Sequence, residues 1–163
     1  MRTILFLVLS ASFLFHAGCG KDHNRPADLP KLYPANITVT QEGNLVEEAT
    51  VTLISKTPSK YNMSSATTNA SGVAILRTYG FNGVPAGVYT VTVSKTSVEG
   101  AREVTNEYGE SVTTGGKLYQ YVDHQYTDEA STPFSITVSE KGIKETFEVG
   151  VPVRVFLMDI PGL

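Results

Sequence analysis

Alternation of apolar and polar side chains with a period of two limits the fold of this chain more than any other feature. It runs through residues 35–41, 49–55, 88–94, 133–139 and 153–158. A period of two is that of a β-strand with one buried face. Residues 73–79 begin apolar in both phases, as a strand covered on both faces does. Turn residues such as Gly43, Gly72 and Gly87 separate the runs. We therefore predict an all-β, antiparallel sandwich.

The N-terminus has the plan of an export signal. Met1 and Arg2 give it a positive start, and an apolar run follows from Ile4 to Phe15. This run of about a dozen residues is shorter than the about 20 that a membrane-spanning helix needs. We expect residues 1–18 to be a signal peptide that is removed.

Small residues precede the only cysteine, Cys19. Residues 15–19, Phe-His-Ala-Gly-Cys, resemble the lipobox of bacterial lipoproteins, although His16 stands where that family usually has leucine. The resemblance implies that the Cys19 thiolate receives a diacylglyceryl group and that acyl chains such as palmitate anchor the protein to a membrane. The alternative is a free or buried thiol, which is a liability in an oxidising compartment. Gly20 follows the cysteine in place of the aspartate that retains lipoproteins at the inner membrane, which favours the outer membrane.

The rest of the chain divides into a tether and one domain. Residues 19–33 are polar and contain proline, and we interpret them as the lipidated cysteine with its tether. Residues 34–163 are enough for one domain. Removal of Arg2 with the signal changes the net charge from −3 to −4, and this acidic balance argues against a nucleic-acid partner.

Residues 32–96 resemble the carboxypeptidase regulatory-like domain, a transthyretin-like fold. The resemblance is carried by three segments: Ala49–Leu53, Thr68–Val73 and Val84–Val93. It implies a seven-stranded Greek-key β-sandwich that serves as a non-catalytic module. Glu48 stands where the family has glycine, and Asn69 where it has aspartate. Asn69 can still form an Asx-type turn, but its lack of charge argues against calcium at this turn.

A long inserted loop is expected at about residues 97–132, and it holds half of the chain's eight tyrosines. Such loops are commonly functional or contain a short hairpin, for which Gly115 and Gly116 could form the turn. Tyrosine offers contact area at low entropic cost. Our candidate binding loop therefore consists of Tyr108, Tyr119, Tyr121 and Tyr126. The alternative is that these rings pack the loop onto the sandwich.

Groups suited to catalysis are few. After the signal, the histidines are His23 in the tether and His124 in the long loop, and zinc and serine-hydrolase motifs are absent from the sequence. Asp123, Asp128 and Glu129 do not match an EF-hand spacing, and we interpret them as surface charge. We predict no catalytic residue, no metal site and no cofactor.

These observations favour a non-enzymatic lipoprotein of the bacterial cell envelope. Its partners would be the membrane, through the lipid anchor, and a protein, peptide or glycan near it. The sandwich would serve as a binding or structural module, and the fold alone does not choose between these roles. The alternative is an accessory subunit of an envelope export or polymer-handling complex. An enzyme is the third hypothesis.

Overall fold

A computed structural model describes residues 24–105 and 107–161, which fold into a β-sandwich. The predicted signal peptide, Cys19 and His23 lie outside the described residues. Within the described ranges the chain forms seventeen strands and one four-residue helix. The elements are β1 (Leu32–Tyr33), β2 (Ala35–Gln41), β3 (Asn44–Leu45), β4 (Thr50–Ser55), β5 (Met63–Thr67), β6 (Val73–Ile75), β7 (Arg77–Thr78), β8 (Phe81–Asn82), β9 (Val84–Pro85), β10 (Gly87–Ser94), β11 (Thr96–Glu99), β12 (Arg102–Thr105), β13 (Ser111–Thr114), β14 (Lys117–Gln120), α1 (His124–Thr127), β15 (Ser135–Val138), β16 (Ile143–Glu148) and β17 (Val155–Asp159).

Two sheets make up the sandwich. One has the strand order β15-β10-β4-β5-β7-β8, and the other has the order β16-β2-β3 with β6 also paired to β2. Ile37 and Val39 from the second sheet meet Val51, Leu53 and Val91 from the first in one core, and all five are fully buried. The period-two pattern places these residues on the inner faces, so the predicted all-β sandwich is confirmed.

One strand pair departs from the antiparallel prediction. β16 runs parallel to β2, with Ile143 opposite Ala35 and Glu148 opposite Thr40. The carboxylate of Glu148 accepts hydrogen bonds from the backbone N–H groups of Glu42 (2.6 Å) and Gly43 (3.3 Å) in the turn after β2. This contact fixes the end of β16 against a turn formed much earlier in the chain.

Residues 73–78 cross from one sheet to the other. β6 pairs with β2, whereas β7 pairs with β5 in the opposite sheet. Leu76 lies between them and is fully buried, but Ile75 is 54% exposed. The prediction that this run is covered on both faces is therefore wrong: Ala74, Leu76 and Thr78 are buried on one face, whereas Ile75 and Arg77 on the other face are exposed.

The fold begins before residue 34, within the stretch that the sequence assigns to the tether. Leu29 is buried, and β1 pairs with β9. Asp28 accepts hydrogen bonds from Lys60 Nζ at 2.8 Å and from the Tyr61 hydroxyl at 2.7 Å. These contacts hold the end of the tether against the sandwich.

Candidate binding surface

The expected long loop is largely a two-stranded hairpin, here called the hairpin, that spans Thr96–Gln120. β11 pairs with β14, and β12 pairs with β13 nearer the tip. The chain reverses between Thr105 and Ser111, so the turn is not at Gly115 and Gly116. A Cβ atom on Gly116 would lie 2.8 Å from Val98 Cγ1 and 2.9 Å from the Glu99 carbonyl oxygen. Glycine is therefore required at this position, where the hairpin bends between its two strand pairs.

β17 adds a third strand to the base of the hairpin. The sheet β11-β14-β17, here called the outer sheet, is separate from the two sheets of the sandwich. The ladder between β14 and β17 has a β-bulge, because Leu118 pairs with Met158 while Tyr119 pairs with Phe156. Leu157 is the extra residue, and it changes which side chains of β17 share a face.

Glu99 is the centre of a polar cluster on the outer sheet. Its carboxylate accepts hydrogen bonds from Arg154 Nη2 at 2.6 Å and Nε at 3.3 Å, and another from the Tyr121 hydroxyl. The guanidinium carbon of Arg154 lies 3.7 Å from the Tyr119 ring centroid. The Arg154 and Tyr121 hydrogen bonds lower the pKa of Glu99 to about 2, because they stabilise its charged form. The cluster joins the hairpin to the segment that enters β17.

Apolar side chains are exposed on the outer sheet. The exposed fractions of Val155, Phe156, Leu157 and Met158 lie between 45% and 54%, and that of Val98 in β11 is 45%. Scattered exposed apolar residues are ordinary, but Val98, Val155 and Met158 lie on one face of the outer sheet, and such a group is typical of interaction sites. The outer sheet is therefore the candidate binding surface.

The structure does not bring the four candidate tyrosines together. Tyr108 lies at the hairpin tip and is 80% exposed. Tyr119 and Tyr121 lie at the hairpin base in the Glu99 cluster. The Tyr126 ring stacks on Phe134 with centroids 5.2 Å apart and packs against the sandwich core. Tyr126 therefore packs onto the sandwich, which is the alternative stated for these rings. Tyr108 is the most exposed of the four tyrosines.

The acidic residues near α1 organise the local backbone. Asp123 accepts a hydrogen bond from the backbone N–H of Gln125 at 2.9 Å and caps the helix, as aspartate does at this position. Asp128 accepts one from the backbone N–H of Ala130 at 2.7 Å. Glu129 and His124 are exposed. Among the described residues, no group of three or more His, Cys, Asp or Glu side chains is arranged to hold a metal ion.

Two clefts open on the sandwich. One of about 300 Å³ lies beside the crossing segment and includes Ser65, Asn69 and Arg77 in its wall. The other, of about 280 Å³, lies near the start of β10 between Tyr61 and Tyr89. Neither is lined by a histidine or a carboxylate. Within the part of the chain that the structure describes, no helix is long and apolar enough to cross a membrane.

Two parts of this surface were not anticipated from the sequence. Arg154 lies 55 positions after Glu99, so the sequence alone does not show that the two side chains pair. The run 153–158 was expected to be a strand of the sandwich, but β17 pairs with the hairpin instead. Its alternation predicted the secondary structure correctly. It did not predict the sheet, because a period of two does not say which sheet a strand joins.

Comparisons with known proteins leave the family open. No family model matches the chain, and no curated protein is detectably similar to it. A crystal structure of the major pilin subunit of Bacillus cereus aligns at 18% identity with a TM-score of 0.40. The alignment covers 74% of this chain and 30% of the pilin chain, so this chain spans less than a third of that protein.

Proposed function

We propose that this chain is a lipid-anchored protein of the bacterial cell envelope, with the outer membrane as its site. Its sandwich is a non-catalytic module that presents the hairpin to a protein partner. The observation that carries the proposal is the placement of the tether and the hairpin at opposite ends of β10.

The tether holds the sandwich close to the membrane. Cys19 lies six positions before Arg25, whose guanidinium carbon is 5.7 Å from the Phe81 ring centroid. Six extended residues span at most about 20 Å. A lipid on Cys19 would therefore keep this end of the sandwich near the bilayer surface.

The hairpin begins at the other end. β1, at the end of the tether, pairs with β9 immediately before β10 starts at Gly87. β11 starts at Thr96, just after β10 ends at Ser94. The eight residues of β10 extend about 26 Å at about 3.3 Å per residue. An anchored sandwich therefore directs the hairpin away from the membrane, where a partner can reach it.

The chemistry of the hairpin suits binding. Glu99, Tyr121 and Arg154 satisfy one another, which stabilises the hairpin base. The tip carries Tyr108, at 80% exposure, and Val104, at 39%. A firm base with an aromatic and an aliphatic side chain near the tip is typical of a protein-contact element.

The anchor is tested by Cys19→Ser in a bacterial host. We expect the unsubstituted chain to fractionate with membranes and to carry a mass increment of acyl chains on Cys19. The variant should lose both. An unchanged fraction and an unmodified N-terminal peptide in both chains would contradict the anchor.

The contact role is tested by pull-down from native membranes with Tyr108→Ser. We expect the variant to lose the partner while its circular dichroism spectrum shows that the chain stays folded. Glu129→Gln, at another exposed position, is the control and should retain the partner. Retention by Tyr108→Ser would contradict a role for the hairpin tip. A stable complex of several proteins would favour the accessory-subunit alternative.

A further inference from the structure

β17 has one open edge. Among the described residues it pairs with β14 alone, and the hydrogen bonds Val153 N to Tyr121 O and Ile160 N to Gly116 O extend this pairing at both ends. The other edge has no strand beside it in the described structure, and all five residues of β17 are exposed. Natural edge strands are usually protected by charge or coverage, whereas the first four of the five residues of β17 are apolar.

The sequence of this edge is complementary to itself when reversed. In an antiparallel alignment of residues 153–160 with a second copy, Arg154 lies opposite Asp159 and Val155 lies opposite Met158. Val153 lies opposite Ile160, and Phe156 and Leu157 occupy the centre. Each of the two charges thus meets the opposite charge, and each apolar residue meets an apolar residue.

Because of the β-bulge, residues that are opposed in this alignment lie on the same face of the sheet. Arg154 lies over the Tyr119 ring, and Asp159 pairs with Lys117 two positions from Tyr119, so Arg154 and Asp159 share one face. In a regular strand, residues five positions apart would lie on opposite faces. The extra residue Leu157 cancels this odd spacing.

Val155 and Met158 also share a face, which is the one opposite to Arg154 and Asp159. Val155 pairs with Gln120 and Met158 pairs with Leu118, which places both on the face opposite to Arg154. Directly opposed residues of an antiparallel pair lie on the same face. Both cross-copy pairs therefore satisfy the geometry of an antiparallel ladder.

We propose that two copies of this chain pair through their β17 edges across a two-fold axis and form one six-stranded sheet. Charge complementarity at both ends of the shared edge selects a second copy as the occupant. Arg154 is 54% exposed although Glu99 binds it, and a guanidinium has five N–H donors, so Asp159 of the second copy can join the pair. Pro152 and Pro161 bound the edge, and since proline lacks a backbone N–H they limit the pairing to about eight residues. The two-fold contact is closed, so it stops at a dimer. This inference goes beyond the proposed function and needs neither the lipid anchor nor the hairpin tip.

Disulfide cross-linking of the full chain in intact cells tests the register. The chain has one native cysteine, and the unsubstituted chain reports any dimer that forms through Cys19. We expect oxidation of a Val155→Cys, Met158→Cys double variant to give at least about tenfold more covalent dimer than either single variant, because only opposed residues come within disulfide reach. Equal yields from the double and single variants would overturn the proposal.

Sedimentation of the purified full chain tests the dimer independently. We expect twice the monomer mass for the unsubstituted chain and the monomer mass for Met158→Lys. Met63→Lys is the matched control, since Met63 is 51% exposed on β5 and Met158 is 54% exposed, and it should stay dimeric. Equal unfolding midpoints of the two variants exclude misfolding as the cause. A monomeric unsubstituted chain overturns the proposal. If, in that case, a pull-down shows that Met158→Lys loses another protein which Met63→Lys retains, that protein is the occupant of the edge.

Discussion

Glu48 adopts a left-handed backbone conformation, with φ of +57°, that costs a non-glycine residue about 1–2 kcal/mol. Its neighbours hold it there: the Thr68 hydroxyl donates to the Val46 carbonyl at 2.7 Å and accepts from the Ala49 N–H at 2.8 Å, while the Glu48 N–H donates to the Thr68 carbonyl. Glycine has no Cβ and adopts this conformation without that cost.

Glu48→Gly should stabilise the fold. We expect a gain of about 0.5–1 kcal/mol, because glycine tolerates this conformation and its higher unfolded-state entropy offsets only part of the relief. Glu48→Ala, which removes the same carboxylate but keeps a Cβ, should give no such gain. Chemical denaturation followed by circular dichroism measures both, and an equal effect of the two substitutions would contradict the backbone explanation.

Glu99 should make the outer sheet sensitive to acid. Its pKa is lowered from 4.5 to about 2 in the folded state, so its stabilising contribution is present above about pH 4.5 and is lost as the pH falls toward 2. We expect Glu99→Gln to loosen the outer sheet at pH 7, with the difference from the unsubstituted chain shrinking between about pH 4.5 and 2. Thermal loss of the Tyr119 and Tyr121 ring signals in NMR spectra measures this, and a difference independent of pH would contradict the assignment.

At the scale of elements, strands with one buried face were predictable, whereas β16 and the strands of the hairpin, which bury little, were not. β2 coincides with the predicted run 35–41, since its alternate residues face the core. β16 was missed because only Ile143 and Phe147 are partly buried on it, and Glu145 interrupts the alternation. The hairpin was expected mainly as a loop, because its strands have no inner face to impose an apolar pattern.

Gly116→Ala tests the bend in the hairpin. The added Cβ would meet Val98 and the backbone at 2.8–3.0 Å, in addition to the strain of φ +107°. Gly115→Ala is the matched control, since its φ of +68° is also positive but no atom lies within 4 Å of the added Cβ. We expect the control to cost about 1–2 kcal/mol and Gly116→Ala to cost more. Amide hydrogen exchange in β11 and β14 measures the loss, and equal effects would contradict the requirement for glycine.

At the scale of the whole molecule, Leu76 connects the two sheets of the sandwich. It is fully buried between β6 in one sheet and β7 in the other. Its packing should therefore couple the unfolding of the two sheets.

Leu76→Ala should destabilise the whole domain by about 2–5 kcal/mol, since a large side chain is removed from a packed core. Ile75→Ala, one position away and 54% exposed, should cost less than about 1 kcal/mol. Denaturation followed by circular dichroism should show one transition for both variants. A loss of stability no larger than that of Ile75→Ala would contradict this role of Leu76.

The sequence by itself determined the all-β class, the positions of the central strands and the signal-like start, since each depends on local composition and on a period of two. The tertiary structure decided which sheet each strand joins, that β16 runs parallel to β2, and that Glu99 meets Arg154 across the outer sheet. These are contacts between residues far apart in the chain. A local pattern shows which side chains share a face of a strand, but partners, register and direction come only from the packing of the whole molecule.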